Sequence, residues 1–322
     1  MNHKRVTVLR GGPSEEYQVS LHTGANVLQS LRKNYALVDD VIITKNGEWL
    51  SNGITRKPEQ ILSGTDVVFV ALHGAYGEDG EVQKIIQRHN IPFTGSRSLP
   101  SAVAFNKHLT KSTLAKNGVR MPLGRLVTTD QSADLGTVAA EIASSLGTEY
   151  IIKPAASGSS VGITHVTGKD DLVHALAEAL QTTEQILVEE YIRGREATCA
   201  ALENFRGESV YVFPAIEIIP PPGSTFFNMA AKYDGTTEEI CPGNFSYSER
   251  VHLHELTENI HRQLGLSQYS RSDFIVRNGE IYFLEVNTLP GLTSTSLFPK
   301  AAAAVGLSFD DLVTHLVETA TT

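Results

Sequence analysis

Six consecutive apolar residues, Val67 to Leu72, constrain the fold of this chain more than any other feature of its sequence. A strand that is apolar on both faces is typical of the interior of a parallel sheet, with helices packed on either side. The run leads into a glycine-rich loop, His73 to Gly80, and then into a helix that carries Val82, Ile85 and Ile86. This strand-loop-helix order predicts an open α/β layer in the N-terminal part of the chain.

The first residues show the same order. Val6 to Leu9 predicts a short buried strand, and a Gly-Gly-Pro-Ser turn separates it from a helix with apolar residues on one face. Leu37 to Ile43 predicts another strand, and Asn46-Gly47 predicts a hairpin. Because ligands of open parallel sheets bind beyond the carboxyl ends of the strands, we expect the loops Gly11 to Tyr17 and His73 to Gly80 to border a site.

Shorter and more mixed elements follow from Pro100 onward. We expect a helix ending near Asn117-Gly118, a helix around Ala139 to Leu146, and a terminal helix after Ser308. Strands are predicted at Tyr150 to Lys153, Ile163 to Val166, Ile186 to Ile192, Glu196 to Leu202, Val210 to Ile216, Asp273 to Val276 and Ile281 to Val286. The fold class is therefore α/β followed by α+β. The segment Pro220 to Gly243 shows little periodicity and is predicted to be a long loop that covers a site.

The composition excludes several classes of protein. The 322 residues include 27 Lys and Arg against 36 Asp and Glu, and this net charge of -9 has the wrong sign for a nucleic-acid partner. No apolar run approaches the roughly 20 residues of a membrane helix, so no membrane partner is expected. Cys199 and Cys241 have no paired spacing, and the N-terminus predicts a strand and a turn rather than a signal peptide. We therefore expect a cytoplasmic protein.

Two predicted strands carry a candidate metal site made of Asp273, Glu285 and Asn287. A strict two-residue turn at Asn278-Gly279 would set Asp273 opposite Leu284, whereas a three-residue loop with Gly279 left-handed and a bulge would put both carboxylates on one face. Two carboxylates and an amide oxygen suit magnesium, and the Pro-Gly loop that follows could bind an anion. The alternative is that both acids are solvated residues on the open face of a hairpin.

Two further segments could bind a nucleotide. Ser157 to Gly162 follows Lys153 but lacks both the P-loop and the dinucleotide pattern, so it predicts a flap over phosphates or else a surface hairpin. Glu189 to Ile192, followed by Glu196, offers backbone groups for a purine and a carboxylate for a ribose, although an acidic surface strand fits the same pattern. His73 could contact a ligand or brace its own loop.

Together these segments resemble the ATP-grasp superfamily, and within it the D-alanine–D-alanine ligases. The resemblance extends over nearly the whole chain and rests on a series of ordered motifs. These are Gly11 to Glu16 with Val19-Ser20, His73-Gly74 with Gly77 to Gly80, Lys107, Lys153-Pro154, Gly158 to Gly162, Lys232-Tyr233, Arg271 with Asp273, and Glu285 to Gly291 with Thr293-Ser294 and Ser296-Leu297.

The resemblance implies an ATP-grasp fold of three domains, at residues 1–99, 100–187 and 188–322, with ATP held between the second and the third. Asp273, Glu285 and Asn287 would bind two magnesium ions, for which manganese could substitute. The implied ATP-binding residues are Lys107, Lys153, Ser160, Glu189, Glu190, Ile192, Glu196 and Lys232.

The resemblance also implies how the substrates would be held. Glu16 would pair with the ammonium group of a first D-alanine and connect through Ser159 to Tyr233. Arg271 and the Gly291 N–H would form an oxyanion hole. Ser296 and the Leu297 N–H would receive the carboxylate of a second D-alanine, and His73 is assigned to substrate binding as well.

The implied reaction joins two D-alanines through an acyl phosphate, for peptidoglycan precursor synthesis, in a homodimer. One alternative is a related ligase that takes D-lactate or D-serine as second substrate. The depsipeptide-forming relatives have a His in place of Lys-Tyr, and Pro220 to Gly243 contains no His, so the dipeptide is favoured. The other alternative is a nucleotide-binding regulator without turnover, against which the complete set of Asp273, Glu285, Asn287 and Arg271 argues.

Overall fold

The computed structural model describes residues 2–158, 162–221 and 237–322, and these residues form three sheets. The N-terminal sheet has the strand order β4-β3-β2-β1-β5, in which β1 runs parallel to β2 and β5. Its strands are β1 (Asn2–Gly11), β2 (Tyr35–Ile43), β3 (Trp49–Ser51), β4 (Ile54–Arg56) and β5 (Val67–Val70). Its helices are α1 (Tyr17–Asn34), α2 (Pro58–Leu62) and α3 (Glu81–Gln87). All four residues of β5 are buried, as predicted, but β5 lies at the end of this strand order, so the predicted central position was wrong. Its other edge is bridged through Val68 by Phe93.

The central sheet is antiparallel, with the order β6-β9-β7-β8. Its strands are β6 (Gly124–Thr128), β7 (Glu149–Pro154), β8 (Thr164–Thr167) and β9 (Gln185–Glu190). A 3-10 helix (Thr129–Asp134) and the helices α6 (Leu135–Leu146) and α7 (Lys169–Thr182) accompany it. Side chains from these helices and strands, among them Val127, Ile142 and Leu176, pack into a buried cluster of their own.

The C-terminal sheet is also antiparallel and follows the order β13-β12-β10-β14-β15, with β11 paired to β10. Its strands are β10 (Arg195–Phe205), β11 (Glu208–Val212), β12 (Ile216–Ile219), β13 (Glu238–Ile240), β14 (Tyr269–Arg277) and β15 (Glu280–Asn287). The helices α8 (Tyr247–Gln263), α9 (Leu297–Ala304) and α10 (Phe309–Glu318) accompany it. Two further helices, α4 (Ser98–Phe105) and α5 (Lys107–Ala115), precede the central sheet in the sequence. In the described part of the chain, no helix has the length and apolar character that crossing a membrane requires.

Two predicted elements are divided in the structure. The single helix expected up to Asn117 is broken at Asn106, whose side chain accepts the Leu109 N–H and caps α5. The single strand expected at Val210 to Ile216 is broken around Pro214, which has no N–H for the ladder, so β11 and β12 pair with opposite ends of β10.

The buried residues of α4 and α5 pack toward the C-terminal sheet. Ala104 of α4 and Leu114 of α5 belong to one cluster with Phe274 and Phe283. The division into 1–99, 100–187 and 188–322 stays a prediction, and its last boundary lies inside β9. The packing of α5 matters for the cleft described below, because this helix touches both neighbouring sheets.

The pairing of β14 with β15 agrees only in part with the hairpin predicted from the sequence. Arg277 pairs with Glu280 across a two-residue turn in which Asn278 has a φ of 52° and Gly279 a φ of 80°. The three-residue loop was therefore wrong. The predicted bulge is confirmed, but it lies farther along: Phe274 pairs with Phe283 and Asp273 with Glu285, so Leu284 is the extra residue. Both carboxylates consequently share a face.

The turn gives a stability prediction. We expect Gly279→Ala to lower the free energy of unfolding by about 1 to 2 kcal/mol, because an alanine is strained at a left-handed φ. Nothing lies within 4 Å of the added Cβ, so the cost comes from the backbone. Gly64→Ala is the matched control, since this glycine has the same open space without a left-handed φ. Urea unfolding of both variants is the measurement, and equal effects would contradict the strain argument.

Candidate active site

A cleft of about 260 Å³ is lined by residues of all three sheets and their loops. Within the described part of the chain, every predicted site residue except Lys107 lines it. They are Glu16, His73, Lys153, Glu189, Glu190, Ile192, Glu196, Arg271, Asp273, Glu285, Asn287, Gly291, Ser296 and Leu297. Residues far apart in the sequence are thus brought together at one place.

Four predicted site residues lie outside the described residues. They are Ser159 and Ser160 of the glycine-rich flap, and Lys232 and Tyr233 of the long loop predicted between Pro220 and Gly243. Their assignments stay predictions.

Asp273 lines the cleft and accepts hydrogen bonds from three side chains. Arg271 donates to its two carboxylate oxygens from Nε at 3.0 Å and Nη2 at 2.9 Å, and Thr198 Oγ1 donates to Oδ1 at 2.5 Å. Asn287 Nδ2 donates to Asp273 Oδ2 at 3.3 Å. Burial works against the charge of Arg271, yet its pKa is raised because Asp273, Glu285 and Glu78 surround it. Arg271 therefore stays a cation in the cleft.

Glu285 completes the predicted metal-binding set. It lies opposite Asp273, and its Oε2 lies 3.1 Å from Lys107 Nζ. Lys107 also donates to the Ser157 carbonyl at 2.5 Å, which ties the start of the flap to the acid. Among the residues that the structure describes, no three His, Cys, Asp or Glu side chains group as metal ligands, so the third donor of this set is the Asn287 amide. Two carboxylates and an amide oxygen fit a hard cation such as magnesium.

A row of buried charges crosses the other side of the cleft. Lys153 Nζ lies 2.7 Å from Glu189 Oε2, and Lys111 contacts the other oxygen of the same carboxylate. Lys111 is not among the residues predicted from the sequence. The signal that could have found it is its spacing of four residues after Lys107, which places both lysines on one face of α5.

The remaining predicted ATP-binding residues lie at the end of β9 and after it. The Glu190 carboxylate accepts the Leu123 N–H at 2.8 Å, so this side chain is engaged within the protein. Ile192 is buried, and Glu196 of β10 lies opposite residues of both β12 and β14. The three residues form one wall of the cleft.

Glu16 meets the flap and the loop after β5. A Cβ built on Gly74 would lie 3.0 Å from Glu16 Oε2, and one built on Gly158 would lie 3.3 Å from the same atom. Both glycines therefore allow a close approach that a side chain would block. The carboxylate is held where the N-terminal sheet, the flap and the cleft meet.

His73 has partners for both ring nitrogens. Nδ1 lies 3.1 Å from the Leu289 carbonyl and Nε2 lies 2.8 Å from Thr23 Oγ1. Burial lowers its pKa to about 4, so the ring is neutral near pH 7, donating from Nδ1 and accepting at Nε2. These contacts support the alternative role of bracing, with the braced partner being the loop that carries Gly291.

Glu78 is a buried carboxyl group that the sequence analysis placed in a motif but not in the site. It accepts the Gly74 N–H at 2.9 Å and lines the cleft near His73. Burial, followed by the nearby charge of Glu16, raises its pKa to about 8. Glu78 is therefore protonated at neutral pH.

This raised pKa predicts a pH dependence of stability. Between about pH 4.5 and about pH 8, Glu78 keeps its proton in the folded protein but releases it in the unfolded chain. The folded state therefore loses stability as the pH rises through this range. Glu78→Gln replaces the carboxyl by an amide that does not titrate, so the variant does not show this loss. From about pH 5 to about pH 8 we expect its free energy of unfolding to rise by more than about 1 kcal/mol relative to that of wild type. Urea unfolding at both pH values measures the difference. Glu81→Gln, at an exposed position of α3, is the control, and a pH-independent difference for Glu78→Gln would contradict the assignment.

The loop from Gly291 to Leu297 closes the far end of the cleft. Ser296 Oγ accepts the Thr293 N–H at 3.1 Å, and a Cβ built on Gly291 would lie 2.8 Å from that oxygen. Ser296 also precedes α9, whose first residue is Leu297. Glycine at 291 thus lets the loop fold tightly against the start of the helix.

Two sequence profiles match the chain. The profile "D-ala D-ala ligase C-terminus" matches residues 117–318, and "D-ala D-ala ligase N-terminus" matches residues 51–96. A D-alanine–D-alanine ligase of Geobacter sulfurreducens is 38% identical over 97% of this chain and 93% of its own length. That of Syntrophobacter fumaroxidans is 37% identical over 98% of this chain and 97% of its own.

Solved structures share the whole architecture. D-alanyl-alanine synthetase A of Vibrio cholerae superimposes with a TM-score of 0.85 at 26% identity, covering 99% of this chain and 98% of that one. The VanG D-Ala:D-Ser ligase of Enterococcus faecalis gives a TM-score of 0.84 at 29% identity, covering 99% of both chains.

The three sheets and the cleft between them form an ATP-grasp fold, as the sequence predicted. The profiles and the relatives make the assignment more specific. The chain belongs to the D-alanine–D-alanine ligase family.

Proposed function

We propose that this protein joins two molecules of D-alanine to D-alanyl-D-alanine, with ATP converted to ADP and phosphate. The observation that carries the proposal is the convergence of Arg271, Asp273, Glu285 and the buried Lys153 in one cleft of a chain from this family, with Lys107 paired to Glu285. Such a cleft can bind a polyphosphate and activate a carboxylate.

ATP would lie along the row of lysines. Lys107, Lys153 and Lys232 would supply positive charge for the phosphates, and Ser160 would donate a hydrogen bond to them. The wall of Glu189, Glu190 and Ile192 would receive the adenine. Glu196 would accept the ribose hydroxyls. Asp273, Glu285 and Asn287 would hold the divalent metal. We propose that two magnesium ions bind there and that manganese could substitute for them. When bound, the metal would neutralise charge on the transferred phosphoryl group.

The first D-alanine would place its ammonium group at Glu16 and its carboxylate toward the γ-phosphate. A carboxylate is a poor electrophile, so phosphorylation to an acyl phosphate is the first chemical step. Arg271 would attract the phosphoryl oxygens. Ser159 and Tyr233, which we propose to link to Glu16, would help to exclude water from this intermediate.

The second D-alanine would attack the acyl carbon through its neutral amine. Arg271 and the Gly291 N–H would stabilise the tetrahedral oxyanion. The C–O bond to phosphate would then break, and the departing phosphate would take the proton that the attacking nitrogen gives up. Ser296 and the Leu297 N–H would hold the carboxylate of this second substrate. His73 supports the same loop through the Leu289 carbonyl, so we propose that it acts on substrate binding through loop position.

A ligase that takes D-serine or D-lactate as second substrate is one alternative. It is favoured by the close superposition on the VanG D-Ala:D-Ser ligase, although the relatives named D-alanine–D-alanine ligase are more similar in sequence. We further propose that the enzyme is a cytoplasmic homodimer that supplies peptidoglycan precursors, with no nucleic-acid or membrane partner.

A substrate panel tests the proposal. ADP formation is measured with D-alanine alone and with D-alanine paired with D-serine, D-lactate or L-alanine, and the products are identified by mass. We expect D-alanyl-D-alanine to be the main product near neutral pH. A predominance of the mixed dipeptide or of the ester would establish the alternative, and ATP binding without ADP formation would indicate a regulator.

A further inference from the structure

Helix α5 carries two buried lysines one turn apart. Lys107 and Lys111 are 5% and 8% exposed and share a face of the helix. Lys107 pairs with Glu285 of the C-terminal sheet, whereas Lys111 pairs with Glu189 of the central sheet. One face of one helix therefore connects both sheets that border the proposed nucleotide position.

Glu189 is shared between two cations. Its Oε2 lies 2.7 Å from Lys153 Nζ, and its Oε1 contacts Lys111. Burial opposes the charge of this carboxylate, which is only 2% exposed, but the two ammonium groups lower its pKa. A single buried carboxylate is thus saturated by two lysines from different elements.

The sheet leaves room for this carboxylate. Gly124 of β6 lies opposite Glu189 of β9, and a Cβ on Gly124 would come within 3.0 Å of Glu189 Cγ. Lys153 projects from the same face of the sheet, because it lies two residues from Ile151, the register partner of Glu189. The arrangement of Lys111, Glu189 and Lys153 is therefore built into the strands.

We propose that Lys111 is a positioning residue for ATP: it remains on Glu189 when Lys153 moves to the phosphates, so that no buried carboxylate is left without a cation. This inference rests on the proposed function, in which Lys153 binds phosphate. Removing one partner of a buried ion pair is strongly unfavourable, because the other charge stays buried and uncompensated. With Lys111 in place, Lys153 can leave Glu189 without that penalty.

The first test replaces Lys111 by a neutral side chain of similar length. We expect Lys111→Met to weaken binding of a non-hydrolysable ATP analogue, measured with magnesium and without D-alanine, by at least about tenfold. The KM for D-alanine is expected to change less than about twofold. Lys116→Met is the matched control, because Lys116 is exposed at the end of the same helix, and it is expected to bind the analogue as wild type does.

A pH profile separates positioning from simple support of the fold. Burial lowers the pKa of Lys111 to about 8, and the positive charge of Lys153 contributes to this shift. The negative charges of Glu189 and Glu285 oppose it. Wild type is therefore expected to lose affinity for the analogue as pH rises through about 8. Lys111→Arg keeps its charge over this range, so its affinity is expected to remain within about threefold of the wild-type value at neutral pH and to show no such loss.

Three results would overturn the proposal: unchanged analogue binding in Lys111→Met, equal weakening for the analogue and D-alanine, or an Arg variant that behaves like the Met variant. If Lys111→Met does not fold, Lys111→Gln removes the charge but keeps a polar side chain that can donate to the Glu189 carboxylate, and it is expected to weaken analogue binding by at least about tenfold as well. Analogue binding within about threefold of wild type in that variant also contradicts the proposal. A wild-type protein that binds the analogue without forming dipeptide would overturn the proposed function and leave the Lys111 result standing.

Discussion

Glu285→Gln is expected to lower the rate of ADP formation by about a thousandfold or more while the protein stays folded. The change removes one charge from the proposed metal site and leaves the shape of the side chain nearly intact. The Glu285 side chain is 25% exposed, and its buried partner Lys107 keeps the hydrogen bond to the Ser157 carbonyl in the variant, so we expect a folded protein of lower stability. Steady-state turnover at saturating ATP and D-alanine, together with circular dichroism, measures both effects.

Glu280→Gln is the matched control for this prediction. Glu280 lies on the same strand, but it is exposed and pairs with Arg120 at 2.5 Å, away from the cleft. We expect its turnover to remain within about twofold of wild type. Turnover of Glu285→Gln within tenfold of wild type, or loss of its fold, would contradict the proposed role of Glu285.

Arg271→Lys is expected to reduce kcat by about a hundredfold to a thousandfold, the usual loss when one donor to a developing oxyanion is removed. Lysine keeps the positive charge but cannot reproduce the planar pair of donors that Arg271 directs at Asp273. The ammonium group would therefore stand at a different place relative to the reacting carbonyl. Stopped-time assays of dipeptide formation at saturating substrates measure the loss.

Arg277→Lys provides the comparison on the same strand. Arg277 is exposed at the turn of the hairpin and lies outside the cleft, so we expect wild-type kcat. A kcat of Arg271→Lys within about fivefold of wild type would mean that the guanidinium geometry is not needed, and would remove Arg271 from the proposed oxyanion hole.

The parts of the fold that the sequence predicted well are those that depend on local pattern. Val67 to Val70 is buried on both faces, and apolar runs of this kind need no knowledge of distant contacts. The divided helix at Asn106 and the divided strand at Pro214 were missed, although a capping side chain and a residue without N–H were both visible in the sequence. Local signals were present there, but the surrounding apolar pattern suggested continuity.

The buried charges were harder to predict because their partners are remote in sequence. The role of Lys111 depends on its contact with Glu189. The raised pKa of Glu78 depends on burial and on the nearby charge of Glu16. A single sequence without its fold gives no distance between such groups. His73 illustrates the same limit: its residue type suggested a ligand contact, while its position shows two protein partners.

The extra residue at Leu284 has a consequence for how this enzyme tolerates change in length. It makes two successive side chains, Leu284 and Glu285, face the cleft, and the burial alternation of β15 breaks at this pair. Side-chain replacements in the hairpin leave that register in place. Deletion of Leu284 would remove the bulge and leave Glu285 opposite Asp273, whereas a one-residue insertion between the turn and Glu285 would rotate the acid to the opposite face, away from Asp273. The hairpin is therefore open to substitution and to loss of the bulged residue but closed to insertion. A library of single-residue insertions between the turn and Glu285 would lose activity where a substitution library over the same positions keeps it.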